Sequence, residues 1–245
     1  MYKVRCSSIG TLLAGCGKVT NKLEWKDLTK MNDSHIGLAI EIYNKKHGFE
    51  SESITTLDMN AGNEHESDAI KMYDEYFGTK YHKLYLEGRQ KMKESGKRSE
   101  MSNEYLTGTR DFGDNKKTID CKVSTDKNVF DRKRFEALDL GYICQVNGYG
   151  YLYGTKELEL YNALMPATFG QIKKMVSSKA YIEMLDDFQQ DELQARLEAN
   201  YGYDFLPLAK RVQAVPIPKI DNFQEIIKVR VETLNEWIDK NKNYL

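Results

Sequence analysis

Asp111, Asp120 and Lys122, two carboxylates and a lysine, lie close together in the stretch Gly108–Lys122, GTRDFGDNKKTIDCK. The Gly-Asp-Asn segment at 113–115 is typical of a turn, and β-branched or aromatic residues flank it on both sides. The pattern predicts a hairpin whose first strand ends at Asp111 and whose second strand carries Asp120 and Lys122. Side chains two residues apart leave the same face of a strand, so two carboxylates and an ammonium group are expected to converge.

This trio of side chains is suited to metal-assisted hydrolysis. Hard divalent cations such as Mg²⁺ prefer carboxylate oxygen and water, and a lysine beside such a cation can orient or deprotonate a water molecule. Taken alone, the hairpin favours a plainer interpretation, in which the charged residues form a solvated stripe on an edge strand. Ile119, Cys121 and Val123 alternate with the charged residues and are expected to bury the opposite face. We therefore predict an ordered, uncovered charged face and, in outline, a phosphodiester hydrolysis site.

Composition narrows the protein class. The chain has 245 residues and 28.4 kDa, enough for one sizeable core, and we expect a single domain over residues 1–245. Hydrophobic residues make up 40% and charged residues 30%, as in ordinary soluble proteins. No window approaches the roughly 18 apolar residues of a membrane span, and the N-terminus lacks the apolar run of a signal peptide. We predict no membrane partner and a cytoplasmic location.

The cysteines and the net charge argue against two further classes. Four cysteines occur without a CxxC pair, which favours small buried or half-buried residues over zinc ligands or disulfides. A formal net charge of −1 is not that of a dedicated nucleic-acid-binding module. An enzyme can instead concentrate its positive charge, and basic residues cluster at Lys80–Arg98 and at 132–134. A solvated surface would explain either cluster equally well.

The N-terminal segment offers a second possible phosphate site. Ser7 or Ser8 is a plausible N-cap for a helix predicted within Arg5–Ala14, and a helix N-terminus with a nearby Arg can bind phosphate. Ordinary capping is the alternative. The following GTLLAGCGKVT does not match a P-loop, because Leu12 stands where the first Gly belongs and Val19 where Ser or Thr should bind Mg²⁺. An NTPase is therefore rejected.

Apolar periodicity predicts the elements that position these residues. In the helix over 62–77, Glu66 lies three residues before Ala69 on the side that faces the core. In a buried helix over 141–153, Gln145 and Tyr149 lie four residues apart and could bond to each other or to a phosphate, although such a pair is usually structural. The remaining predictions are a helix over 33–47, strands over 81–86 and 158–165, a loop over 89–103, an extended connector or edge strand over 215–218, and amphipathic helices over 178–199 and 221–242.

Taken in order, these motifs resemble the lambda-exonuclease (YqaJ-type viral recombinase) branch of the PD-(D/E)xK nucleases. GNEHESDAIKMY resembles that family's G-x-x-x-E-x-x-A-x-x-x-Y helix with Glu66 as the acid, GTRDF the motif that supplies Asp111, and IDCK the (D/E)xK motif. GYICQVNGY is similar to the following helix with its Gln, and RCSSIG to the N-terminal Arg and Ser element. Two positions depart from the pattern, since Arg110 replaces the Pro and Asp120 replaces the usual Glu.

The resemblance implies an α/β fold, a single-domain restriction-endonuclease-like core with a central mixed sheet flanked by helices and a helical extension from about residue 168. It implies that Asp111, Asp120 and the backbone carbonyl of Cys121 bind Mg²⁺, with Glu66 supporting a second ion, in part through water. Mn²⁺ is expected to substitute, and no iron–sulfur cluster is expected. The other implied roles are Lys122 for positioning or activating the attacking water, Gln145 for orienting the site, and Arg5, Ser7, Ser8 and Tyr149 for DNA or its 5′ phosphate.

By the same resemblance, the chain is expected to be a Mg²⁺-dependent 5′-to-3′ exonuclease on duplex DNA in phage-type recombination. Its expected partners are DNA, a single-strand annealing protein and further copies of itself in a ring, in the cytoplasm of a bacterial host. One alternative is a RecB-like single-strand nuclease, whose iron–sulfur members place cysteines after the nuclease core, whereas this chain has none after Cys144. The other is an inactive DNA-end-binding module, against which the intact Asp111, Asp120 and Lys122 argue.

Overall fold

A four-stranded mixed sheet lies at the centre of the computed structural model, which describes residues 1–19, 23–49, 56–95 and 100–245. The strands are β1 Val4–Arg5, β2 Gly17–Val19, β3 Leu23–Trp25, β4 Met101–Ser102, β5 Leu106–Gly108, β6 Phe112–Gly113, β7 Lys117–Ser124, β8 Glu157–Leu164 and β9 Val212–Pro216. The α-helices are α1 Ile9–Leu12, α2 Asp33–Lys46, α3 Leu57–Phe77, α4 Tyr81–Ser95, α5 Lys127–Arg132, α6 Leu140–Tyr153, α7 Phe169–Glu183, α8 Asp187–Tyr201 and α9 Phe223–Asn241. Short 3₁₀ turns occupy Cys6–Ser8 and Leu208–Lys210.

The strand order of the central sheet is β6-β7-β8-β9. β7 and β8 are parallel, with Asp120 opposite Leu160 and Lys122 opposite Asn162, whereas β6 and β9 pair antiparallel to their neighbours. The parallel pair is joined through α5 and α6, as a parallel connection requires a crossover. β1, β5 and β4 form a second small sheet, and β2 pairs with β3.

Alternation along β7 and β8 separates two cores. Leu158 and Leu160 pack on one face with residues of α6 and α9, while Ile119 and Tyr161 pack on the other face with residues of α3. Cys121 and Val123 are half-buried on that second face, so the prediction that they bury the side opposite Asp120 and Lys122 is confirmed. The site residues of β7 therefore face α6.

Local sequence explains where the two helices of the site begin and end. The Asp139 carboxylate accepts hydrogen bonds from the backbone N–H groups of Gly141 and Tyr142 at the start of α6. Gly154, with φ 66°, adopts the left-handed conformation that ends the helix. Thr56 and Gly78 perform the same two functions for α3. The predictions of helices over 33–47, 62–77 and 141–153 are confirmed within a few residues, although α3 begins earlier, at Leu57.

The predictions between residues 81 and 103 are wrong. Residues 81–86, predicted as a strand, form the first turns of α4, which continues to Ser95 and so includes the first part of the predicted loop. Met101–Ser102 is a strand, and residues 96–99 lie outside the described part of the chain. The reason is that Tyr81, Tyr85 and Arg89 recur every four residues, a helical stripe that the local alternation obscures.

The C-terminal third is more than a helical extension. α7 and α8 pack on each other around Ile172, Val176 and Leu193, apart from the two main cores. The chain then returns as β9, the edge strand that includes part of the predicted 215–218 connector, and α9 supplies Ile227 and Val231 to the first core. No helix in the described ranges is long and apolar enough to cross a membrane.

Candidate active site

The hairpin that carries the site is built by its turn. The N–H of Asp114 donates to the Lys117 carbonyl at 2.9 Å, and the Asp114 carboxylate accepts from the N–H groups of Lys116 and Lys117. At Gly113, with φ 138°, an added Cβ would lie 2.2 Å from the Lys117 carbonyl oxygen, so only glycine fits. The predicted turn is confirmed. Asp111, however, does not end the preceding strand; it stands immediately before the two-residue strand β6.

Beyond the end of β6, the Asp111 side chain accepts a hydrogen bond that a neighbouring strand would otherwise accept from β7. β6 pairs only with Thr118 and Ile119, and beyond it the N–H of Cys121 donates to Asp111 Oδ2 at 2.7 Å. In an antiparallel ladder the N–H and carbonyl of one residue point toward the same neighbour. The Cys121 carbonyl therefore leaves β7 on the edge where the Asp111 carboxylate lies.

Asp120 is buried under α6 and only 1% exposed. Gln145 Nε2 donates to its Oδ1 at 3.1 Å, and Lys122 Nζ forms an ion pair with its Oδ2 at 2.8 Å. Among the described residues, Oδ2 has no hydrogen bond of acceptable geometry. The expected uncovered charged face is wrong, because the crossover helix that links the parallel strands packs directly on this face of β7.

One face of α6 supplies the side chains around the Asp120–Lys122 pair. Tyr142, Gln145 and Tyr149 recur at three- and four-residue spacing and therefore lie on one side of the helix. Lys122 Nζ lies 5.0 Å from the centre of the Tyr142 ring, and Gln145 Nε2 lies 3.4 Å from Tyr149 Oη. The predicted contact between Gln145 and Tyr149 is confirmed, while Tyr142 was missed by the sequence analysis.

Electrostatics distinguish this cluster from a simple ion pair. Burial, and then the charge of Asp120, raises the pKa of Asp111 well above its ordinary value, against the opposing effect of Lys122. Burial also raises the pKa of Asp120, although Lys122 counteracts it. For Lys122, burial lowers the pKa, but the two carboxylates outweigh burial and raise it. One ammonium group thus serves two carboxyls, the buried Asp120 and the half-buried Asp111, which favour an additional proton or cation.

Glu66 and Asp111 line one cavity of about 390 Å³ between α4 and the β6–β7 hairpin, as the sequence analysis expected of Glu66. Tyr85 Oη donates to Glu66 Oε2 at 2.8 Å, so α4 holds the acid that α3 presents. Tyr85 was missed because its segment was predicted to be a strand. The described residues that line the cavity also include Tyr81, Leu84, Gly88, Arg89, Met92, Arg110, Asp114 and Tyr153.

Comparison with solved structures reveals the fold. A phage-related exonuclease from Haemophilus somnus 129PT matches with a TM-score of 0.67 and 22% identity, over 100% of this chain and 97% of that one. The alkaline exonuclease LHK-Exo from Laribacter hongkongensis matches with a TM-score of 0.58 and 12% identity, over 99% and 90% of the two chains. The chain has the fold of these exonucleases. No protein-family model and no curated protein sequence matches it.

The exonuclease fold confirms the predicted α/β class with a mixed sheet flanked by helices, and it is the fold that the motif resemblance implied. A second structure of LHK-Exo, in complex with dAMP, matches with a TM-score of 0.52 and 13% identity over 99% of this chain and 90% of that one. At these identities the likeness shows the fold alone.

Within this exonuclease fold, Arg5, Ser7 and Ser8 are not on the carboxylate cavity as the described residues outline it. Arg5 ends β1 and lines a separate basic cavity with Lys3, Lys45 and Lys46. Ser7 and Ser8 lie in the 3₁₀ turn before α1, and within the described chain the Ser8 side chain accepts no capping hydrogen bond. Ser8 occupies the N-cap position of α1, as predicted, but a 3₁₀ turn precedes this four-residue helix and the capping hydrogen bond of the side chain is not formed.

The fit of the site to a divalent cation depends on which oxygen donors lie around Asp111 and Asp120. Across the described ranges, no three His, Cys, Asp or Glu side chains form a ready-made metal cage. Mg²⁺, however, usually keeps several waters and needs only one or two carboxylates from the protein. Asp111, Asp120 and the Cys121 carbonyl fit that requirement, although Asp120 Oδ2 is already paired with Lys122 Nζ at 2.8 Å. Glu66, held by Tyr85, fits contact through water.

Proposed function

We propose that the chain is a Mg²⁺-dependent exonuclease that hydrolyses DNA phosphodiester bonds. The observation that carries the proposal is the meeting of two carboxyls at β7, the buried Asp120 and the half-buried Asp111, with Lys122 as the lysine that pairs with Asp120. When both carboxyls are ionised, the cluster has more negative than positive charge, and a divalent cation would neutralise the difference. The exonuclease fold of the chain supports the same activity.

Each residue of the cluster then has a role. Asp111, Asp120 and the Cys121 carbonyl would hold the ions, two in number as the motif resemblance implies, with Mn²⁺ as a substitute and Glu66 contributing through water. Bound ions would offset charge on the phosphate and on the leaving 3′ oxygen. Lys122, fixed by Asp120 and by the Tyr142 ring, positions the attacking water. Gln145 holds the Asp120 carboxylate in place.

The finer assignment is a 5′-to-3′ exonuclease on duplex DNA in phage-type recombination, in the cytoplasm of a bacterial host. It rests on the motif resemblance and on the likeness to a phage-related exonuclease. A single-strand annealing protein and a ring of identical subunits are proposed partners on the resemblance alone. Tyr149, which contacts Gln145 at the site, is proposed to bind DNA.

The proposed site for the 5′ phosphate is Arg5 with Ser7 and Ser8. Its support is the basic cavity that Arg5 shares with Lys45 and Lys46. The test is to assay Arg5→Ala on duplexes with and without a 5′ phosphate. We expect wild type to prefer the phosphorylated end and the variant to lose that preference. An equal preference in the two proteins would remove Arg5 from end recognition.

The activity itself is tested by incubating end-labelled duplex and single-stranded DNA with the protein in Mg²⁺ or in chelator. We expect mononucleotides from one duplex end in Mg²⁺ and intact DNA in chelator. Preferential digestion of single strands would favour the RecB-like alternative. Retention of DNA ends without cleavage in Mg²⁺ or Mn²⁺ would favour the end-binding alternative and refute an enzyme.

A further inference from the structure

The wall of the carboxylate cavity that α4 supplies is partly apolar and partly open. Two adjacent rows of the helix, each with a four-residue spacing, line it. Leu84 is 50% exposed although it is a large apolar side chain. The first row is Tyr81, Tyr85 and Arg89, and the second is Leu84, Gly88 and Met92.

Gly88 lies in the interior of α4, where glycine is the least favourable residue after proline. Packing gives no reason for it, because a Cβ added there has nothing within 4 Å among the described atoms. Such a Cβ would lie on the cavity wall instead, between Leu84 and Met92. The glycine therefore keeps a shallow, flat strip of wall free for something other than the protein's own side chains.

The charges of the cavity indicate what that occupant is. The carboxylates of Glu66, Asp111 and Asp114 line the cavity, and their negative charge disfavours the binding of an anionic group deep inside. The Arg110 guanidinium is already engaged, since it donates to the Asp114 carbonyl at 2.6 Å and lies 4.3 Å from the centre of the Tyr153 ring. Arg89 is exposed and lies 5.5 Å from the Tyr85 ring centre. A neutral, flat group fits the interior, and Arg89 suits a phosphate at the edge.

We propose that this cavity binds the nucleobase next to the cleaved phosphate, with the base lying flat on the strip formed by Leu84, Gly88 and Met92. The inference rests on the proposed nuclease function and adds a subsite to it. The volume of about 390 Å³ is within the range of small-ligand sites, roughly 300–1,000 Å³. Because the strip offers apolar contact and no hydrogen-bond code, binding tolerates all four bases.

The test uses Gly88→Ala and Gly88→Met, with Gly37→Ala as the matched control. Gly37 is also a helical glycine whose added Cβ meets nothing within 4 Å, but it lies in α2 and not on the cavity wall. All three variants gain a better helix former, so we expect each melting temperature to rise by about 2–4 °C. We expect kcat/KM on duplex DNA to fall about tenfold for Gly88→Ala, further for Gly88→Met, and to stay at the wild-type value for Gly37→Ala.

A second substrate tests the ligand side. We expect wild type to cleave a duplex with abasic terminal nucleotides about tenfold more slowly than a normal duplex. Gly88→Met is expected to cleave the two duplexes at the same low rate. Gly88 variants with raised melting temperatures and unchanged kcat/KM would overturn the subsite. If the variants fail to fold, equal wild-type rates on normal and abasic ends would overturn it. In both cases, Mg²⁺-dependent cleavage by wild type would show that only the subsite is refuted. Absence of cleavage by wild type would refute the proposed nuclease function and, with it, the subsite.

Discussion

Two lysines of β7, Lys117 and Lys122, each pair with a carboxylate, and the two pairs differ in what surrounds them. Lys117 Nζ lies 2.8 Å from Glu159 Oε2, the same separation as between Lys122 Nζ and Asp120 Oδ2. Around the first pair, Tyr73 Oη donates to Glu159 Oε1 at 2.6 Å and accepts from Lys117 at 3.0 Å. Around the second, Gln145 Nε2 donates to Asp120 Oδ1 at 3.1 Å, and Asp111 adds another carboxyl, whose pKa is raised by burial and by the charge of Asp120.

The difference indicates which pair is a site. Glu159 and Asp120 each have a partner for both carboxylate oxygens, but the Lys117 cluster, which ties α3, β7 and β8 together, has one carboxylate for its one lysine. The Lys122 cluster has more carboxylate charge than its one cation balances. An ion pair alone is therefore uninformative about function, whereas a second carboxyl beside the pair favours an additional cation there.

The largest expected contrast is between Asp120→Asn and Glu159→Gln. Asp120→Asn should reduce DNA cleavage by about a thousandfold or more, because it removes a charged ligand from the cation site. Glu159→Gln should leave kcat/KM near wild type and lower the free energy of unfolding by about 1–3 kcal/mol, since it weakens a half-buried ion pair. Cleavage assays and urea titrations of the purified variants measure both. A Glu159→Gln protein as inactive as Asp120→Asn would abolish the distinction.

A second contrast uses the two tyrosine–glutamate hydrogen bonds. Tyr85→Phe should lower kcat/KM about tenfold, because Glu66 loses the donor that orients it in the cavity. Tyr73→Phe removes the equivalent donor from Glu159 and should affect only stability, by about 1 kcal/mol. Steady-state kinetics with the melting temperature of each variant separate the two effects. Equal kinetics for Tyr85→Phe and wild type would exclude a role for the orientation of Glu66.

A third, smaller effect concerns pH and stability without metal. Because the pKa of Asp111 is raised on folding, the unfolded chain ionises first, and this carboxyl destabilises the protein increasingly as the pH rises above its ordinary value of about 3.8. Asp111→Asn keeps an acceptor for the Cys121 N–H without that charge. In chelator near pH 8 we expect it to be more stable than wild type by about 1–3 kcal/mol, with the difference vanishing toward pH 4.

Mg²⁺ should reverse that order. Saturation at a hundred times Kd stabilises a binding protein by about 2.7 kcal/mol, a gain that the Asn variant should largely lose. Urea unfolding at several pH values, with chelator and with Mg²⁺, measures the change. A wild-type protein more stable than Asp111→Asn in chelator at pH 8 would contradict the excess of buried negative charge.

The sequence predicted the parts of the site that depend on local periodicity. The two-residue spacing placed Asp120 and Lys122 on one face of β7, and the four-residue spacing placed Gln145 beside Tyr149. Residue spacing shows which side chains share a face of a strand, but not which element packs on that face. The burial of Asp120 under α6 was therefore missed. Pairs far apart in sequence, such as Lys117 and Glu159, have no local pattern at all.

The main failure, α4, has a physical cause. Its polar residues and the interior Gly88 weaken the helical pattern, and the helix contributes no fully buried residue in the described chain. Its tyrosines pack only partly against the α3 core. Such a helix is stabilised by tertiary contacts more than by propensity, and sequence reasoning has little access to those contacts. The cavity wall that α4 forms could therefore not be predicted.

The most direct test of the central claim is a crystal structure of the wild-type protein with Mn²⁺, with the ion located by its anomalous scattering. We expect an ion about 2.1 Å from carboxylate oxygens of Asp111 and Asp120, with the Cys121 carbonyl in the same coordination shell. An ion bound elsewhere, or no ion at these residues at a Mn²⁺ concentration that supports DNA cleavage, would contradict the account.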